Sequence, residues 1–244
     1  MSTVEYTVIK RKMVNQLAAL GDRVKGLILY GSIAKGDGFY IPGESDIDFY
    51  LVVDGEDVLE TYEKITRIIE GFRTEPLFAP LLDLRVVEEE DIRPQPYNAL
   101  GTILALGASQ GEVLLGENVL QDVEFPGTVI KEVTKALIVN SYMSYTNILT
   151  GGYGLDPYGI ALEGSEHVLA CAHAYLAYEG EIERVRYELP EIFQQRYGNS
   201  TNFDADTVLE AHRYRLGIQK IDPEEFIHWA FKFCKAIKKQ ISHE

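Results

Sequence analysis

Asp46 and Asp48 stand one residue apart in the run Ser45-Asp46-Ile47-Asp48-Phe49-Tyr50-Leu51-Val52-Val53. Strand side chains alternate, so on a strand both carboxylates point to one side. Two like charges a few ångströms apart in a dry place are costly unless a cation neutralises them. Upstream, Leu27-Ile28-Leu29-Tyr30-Gly31-Ser32 reads as a strand ending in a glycine turn, where backbone N–H groups can receive phosphate oxygens. A phosphate cradle beside a carboxylate pair is a site for a metal–nucleotide complex.

A third carboxylate has the same character. Leu81-Leu82-Asp83-Leu84-Arg85-Val86-Val87 reads as a largely apolar strand with Leu81, Asp83, Arg85 and Val87 on one face. Asp83 is isolated between leucines, which costs energy in a core unless it is paired or ligates a metal. A salt bridge with Arg85 is the structural alternative. If the second and third strands are neighbours in register, three carboxylates converge. Hard oxygen ligands of that kind suit Mg²⁺ or Mn²⁺ bridging to substrate phosphates. Two such ions would stabilise the attacking and leaving oxygens of an in-line phosphoryl displacement.

The elements that must position these groups follow from periodicity and punctuation. Thr3 can cap a first helix whose Tyr6, Ile9, Met13, Leu17 and Leu20 recur at helical spacing, and Gly21-Asp22 stops it. Strands are predicted over 24–30, 46–53 and 81–87, with a helix after Asp54-Gly55 marked by Val58, Tyr62, Ile65, Ile69 and Phe72. The acidic run Glu88 to Asp91 reads as a solvated helix start, residues 97–108 as a helix, and Glu112 to Gly116 as a short strand or turn. Beyond Pro126 only helices are predicted: 128–149, one from Asp156-Pro157 to Glu179-Gly180, 204–216, and one opened by Asp222-Pro223 that closes in lysines. These patterns give an α/β domain over 1–126 and a helical bundle over 127–244.

Composition narrows the partners. The 244-residue chain has a formal charge of −15. Up to Pro126 it holds 22 acidic and 11 basic residues, a balance of −11. Such a surface repels nucleic acid, which is bound through Lys and Arg on phosphates, and it attracts cations. The acidic surface and the absence of a basic stripe argue against a template-directed polymerase. The two cysteines, Cys171 and Cys234, lie in apolar helical patterns and read as small buried hydrophobes in a reducing compartment. There is no signal-like N-terminus and no apolar run of membrane-spanning length, so the expectation is a cytoplasmic protein with no membrane partner. His167, His173, His212 and His228 lack ligand-like mutual spacing. Tyr142, Tyr145, Tyr153 and Tyr158 read as bundle packing.

Gly31-Ser32-Ile33-Ala34-Lys35-Gly36 followed by Ser45-Asp46-Ile47-Asp48 resembles the signature of the polymerase-β-type nucleotidyltransferases. That signature is Gly-Ser, a variable loop, Asp-x-Asp or Asp-x-Glu, and a third carboxylate on a later strand. The resemblance implies an α+β catalytic domain with a mixed sheet, in which Gly31 and Ser32 hold the nucleotide's outer phosphates. It implies that Asp46 and Asp48 bind metal and that Asp83 is a metal ligand or the base for an acceptor hydroxyl. The loop carries an aromatic insertion around Phe39-Tyr40-Ile41-Pro42. A catalytic domain followed by helices is similar to the aminoglycoside nucleotidyltransferases. Gly111 to Gly116 looks like the segment closing their catalytic domain, and His167 to Ile182 looks like a helix of their second domain, with Arg184 or Arg186 as a candidate nucleotide contact.

The expected activity is transfer of a nucleoside monophosphate from a triphosphate, ATP, to a hydroxyl of a small acceptor, with Mg²⁺ or Mn²⁺ as cofactor and an acceptor pocket between the domains. The acidic first half favours a cationic acceptor such as an aminoglycoside. The rival of a different class is an antitoxin-like nucleotidyltransferase that modifies or sequesters a protein. The long helical region argues against it.

Overall fold

The computed structural model describes residues 3–34, 47–73, 82–92, 99–151, 154–181 and 188–242. Three apolar, β-branched runs become strands β1 (Val24–Tyr30), β2 (Ile47–Val53) and β3 (Leu82–Glu88). Glu112–Gly116, left between strand and turn by its sequence, forms β4. The four make one mixed sheet in the order β3-β2-β1-β4. β1 pairs antiparallel with β2 and with β4, whereas β2 and β3 run parallel. A parallel pair needs a long crossover, and helix α3 lies in this one. In chain order the helices of this part are α1 (Thr3–Ala18), the single turn α2 (Gly31–Ala34), α3 (Val58–Arg73) and α4 (Ala99–Ser109).

Alternation along the strands sorts their residues onto two buried faces. Leu27, Leu29, Ile47, Phe49, Leu51 and Val53 pack against Ile9, Met13 and Leu17 of α1 and Ile65 and Phe72 of α3. Ile28, Tyr30, Tyr50 and Val52 face the other way, against Ala105 and Ala108 of α4 together with Ile92 and Leu120. Each such large side chain contributes about 1.5–3 kcal/mol on burial. The central strands are therefore anchored from both sides, which holds their ends in place. Lys10 of α1 also forms an ion pair with Glu112 of β4. The acidic run expected to open a helix is instead a 3₁₀ turn over Glu89–Asp91.

Contacts divide the chain into two compact units, Met1–Gln95 with Gly101–Phe125, and Pro96–Leu100 with Pro126–Glu244. Among the described residues the second contains no strand; its helices are α5 (Gly127–Leu149), α6 (Pro157–Tyr178), α7 (Leu189–Tyr197), α8 (Asp206–Arg215) and α9 (Pro223–Ile241). Asp156 and Asp222 cap α6 and α9, accepting from the backbone N–H of Gly159 at 2.7 Å and of Glu224 at 2.9 Å. Tyr145 of α5 packs onto Gly164 of α6, where a Cβ would lie 2.5 Å from the phenol oxygen. Cys171 and Cys234 are buried free thiols. Helix α7 was not legible from periodicity. It has nine residues with Pro190 in its first turn, too short to stand by propensity. It is held by Phe193 and Tyr197, which join Tyr175, Phe203 and Phe233 in an aromatic cluster with centroids 4.8–5.8 Å apart.

Candidate active site

β1 ends at Tyr30, and the chain turns at Gly31 with φ +76° directly into α2. That backbone conformation disfavours any residue with a Cβ. A Cβ at Gly31 would also strike the carboxylate of Asp48. Glycine is thus required twice here, for the turn and for the close approach. Ser32 is the second residue of α2.

Strand register does the rest. Asp48 lies opposite Tyr30 on β1 and opposite Asp83 on β3, so Tyr30, Asp48 and Asp83 form one row across the sheet. Neighbouring strands are about 4.8 Å apart, which makes the two carboxylates immediate neighbours. Asp48 is half-buried and Asp83 exposed at the edge of the sheet. The next row on the same face is Ile28, Tyr50 and Arg85. Tyr30 and Tyr50 meet edge to face, with centroids 6.1 Å apart.

The electrostatics of these rows have identifiable causes. Burial, then the charges of Asp48 and Asp83, push the Tyr30 phenol well above its ordinary range. Burial pushes Tyr50 up to about 12, with the Arg85 charge opposing it. Both phenols therefore keep their protons at neutral pH. The ion pairs among the described residues include neither Asp83 nor Arg85, so the salt bridge weighed for Asp83 is not formed among them.

The donor set fits a hard divalent cation. Two carboxylates stand side by side, and the missing Cβ of Gly31 leaves room for the oxygens of one of them. Two carboxylates meet here, and no group of three ligating side chains occurs among the described residues. Asp46 lies outside the described residues, as do Arg184 and Arg186. Of the side chains weighed for other roles, Tyr145 is fully buried and donates to the carbonyl of Ile227 at 3.4 Å. His167 packs on the Tyr145 ring at 5.7 Å, and burial lowers its pKa. These belong to the core of the helical unit. Sequence reasoning did not assign Tyr30, Tyr50 and Arg85 to the site. Their alternation with Asp48 and Asp83 was a usable signal, but the register that aligns them was not.

No helix of the described residues is long and apolar enough to cross a membrane. No curated protein matches the chain. Residues 10–99 match the family model described as "Nucleotidyltransferase domain". The matched segment runs from within α1 to the start of α4 and contains Gly31, Ser32, Asp46, Asp48 and Asp83. With the mixed sheet that sets two of these carboxylates in register, this match makes residues 10–99 a nucleotidyltransferase domain of the polymerase-β-like kind and the protein a nucleotidyltransferase.

Proposed function

We propose that the protein transfers a nucleoside monophosphate, AMP from ATP, to a hydroxyl of a small cationic acceptor such as an aminoglycoside. The observation that carries the reading is the pairing of Asp48 with Asp83 beside the left-handed turn at Gly31. Asp46, Asp48 and Asp83 would hold Mg²⁺ or Mn²⁺, which supplies charge neutralisation for the triphosphate when bound. Gly31 and Ser32 would receive the outer phosphates through the turn. In the reaction the acceptor oxygen bonds to the α-phosphorus, the bond from that phosphorus to the α–β bridging oxygen breaks, and pyrophosphate leaves with the electron pair. Asp83, at the exposed edge of the row, takes the hydroxyl proton. Positioning and charge compensation account for most of the catalysis in such displacements. The catalysis is assigned to residues 1–126, and 127–244 form the helical domain.

The acceptor class follows from charge. A first half carrying −11 repels anionic acceptors and draws in cationic ones. The test is incubation of the protein and Mg²⁺ with each α-labelled triphosphate in turn, against a panel of aminoglycosides and of host proteins. Label from ATP appearing on an aminoglycoside is the expected result. Label appearing on a protein instead would replace the small-molecule acceptor by the antitoxin-like reading and leave the chemistry at Asp48 and Asp83 intact.

A further inference from the structure

We infer that Arg85 is a phosphate ligand of this site, its guanidinium taking an oxygen of the nucleotide's triphosphate chain; the inference rests on reading Asp48 and Asp83 as the metal-holding carboxylates. Arg85 stands on the same face of β3 as Asp83, one row further along the sheet and directly opposite Tyr50. Two residues along a strand span about 6.6 Å, a distance an extended arginine arm covers to return to the carboxylate row. Its Nε is buried and has no hydrogen-bond partner among the described residues. Buried donors are almost always satisfied, so one left over in a site points to a ligand that supplies the acceptor.

The surroundings say which ligand. Tyr50 lies opposite Arg85 and meets Tyr30 edge to face, and the positive charge of Arg85 is felt at both phenols. A cationic acceptor would be repelled by this guanidinium, so Arg85 belongs to the nucleotide side of the reaction. The planar guanidinium fork matches phosphate oxygens. A triphosphate held at Asp48 and Asp83 would present such oxygens one row from Arg85. By sequence alone Arg85 is a candidate ion-pair partner for Asp83. The register and the unpartnered Nε give it a different role.

The test uses the full chain and inorganic tripolyphosphate, the part common to every nucleoside triphosphate, with Mg²⁺ in a calorimeter. A separate titration follows binding of Mn²⁺ alone by electron paramagnetic resonance. Arg85→Met is expected to weaken magnesium–tripolyphosphate binding at least tenfold, while Mn²⁺ alone binds as tightly as before or tighter, because a nearby positive charge is gone. Arg85→Lys restores the charge without the Nε–H and is expected to fall between the two; it also serves as the test variant if Arg85→Met does not fold. Unchanged tripolyphosphate affinity in Arg85→Lys and in any folded Arg85→Met would overturn the inference. The control is Asp48→Asn. Loss of binding in Asp48→Asn, with none in the arginine variants, removes Arg85 but keeps the carboxylate reading. Failure of the wild type to bind either probe overturns both.

Discussion

At the scale of single residues, Asp48 carries the most consequence, because Tyr30, Gly31 and Asp83 all converge on it. Asp48→Asn is expected to lower transfer by about a hundredfold or more, since charge compensation at the reacting phosphate is the main catalytic contribution. Its melting temperature should hold or rise slightly, as removing one of two adjacent like charges relieves repulsion. A parallel loss of activity and melting temperature would instead mark Asp48 as structural. Asp83→Asn should reduce kcat far more than nucleotide affinity, because its charge matters most as the transition state develops. Steady-state kinetics beside equilibrium nucleotide titration separates the two quantities, and wild-type kinetics would remove Asp83 from the chemistry. Gly31→Ala forces a Cβ into a left-handed turn and against the Asp48 carboxylate. It should cost at least about 1 kcal/mol in chemical denaturation and displace the carboxylate that it strikes.

At the scale of elements, the sheet supports the site and the helices support the sheet. β2 can present Asp48 because Phe49 and Leu51 are locked into one face and Tyr50 and Val52 into the other. In the second unit a buried carboxylate of α8 holds the connection to α9. Glu210 is 2 % exposed and accepts hydrogen bonds from the backbone N–H of Lys220 and Ile221 and from Arg213. Burial raises its pKa, but these bonds outweigh burial and hold it below its ordinary value of 4.5. A carboxyl depressed in the folded state adds stability above its unfolded pKa, and that stability disappears as pH falls through the folded value. Glu210→Ala should therefore cost about 1–3 kcal/mol at neutral pH, because three part-buried hydrogen bonds to a charged acceptor are lost. The variant should also lose part of the wild type's acid destabilisation below about pH 4.5, the range in which carboxyls titrate. Denaturant unfolding at several pH values checks both; a pH dependence identical to wild type would show that Glu210 does not titrate on folding.

For the molecule as a whole, charge is the governing quantity. A formal charge of −15, with −11 on the first 126 residues, should concentrate cations and repel free triphosphate. Aminoglycoside binding measured by calorimetry should weaken as salt rises, because exposed charge pairs are screened over about 8 Å at physiological ionic strength. Triphosphate binding should instead require a divalent cation, and chelation should abolish it. Aminoglycoside affinity that is insensitive to salt would mean that the acidic field does not recruit the acceptor.

Much of this protein was written in local pattern. The alternation around Asp48, the isolated Asp83, the glycine turn, the caps at Asp156 and Asp222 and the change to helices after Pro126 are short-range signals, and such signals survive in a linear reading. Helix α7 was not legible because its stability comes from aromatic contacts with Tyr175, Phe203 and Phe233, residues far off in the chain or outside the helix. Sequence alone determined which side chains share a face of their own strand. Only the tertiary structure decided that β2 and β3 pair in parallel with Asp48 level with Asp83 and Tyr50 level with Arg85. The physical reason is that register between parallel strands is set by packing across a long connection, and a slip of one residue would turn every side chain of a strand to the opposite face.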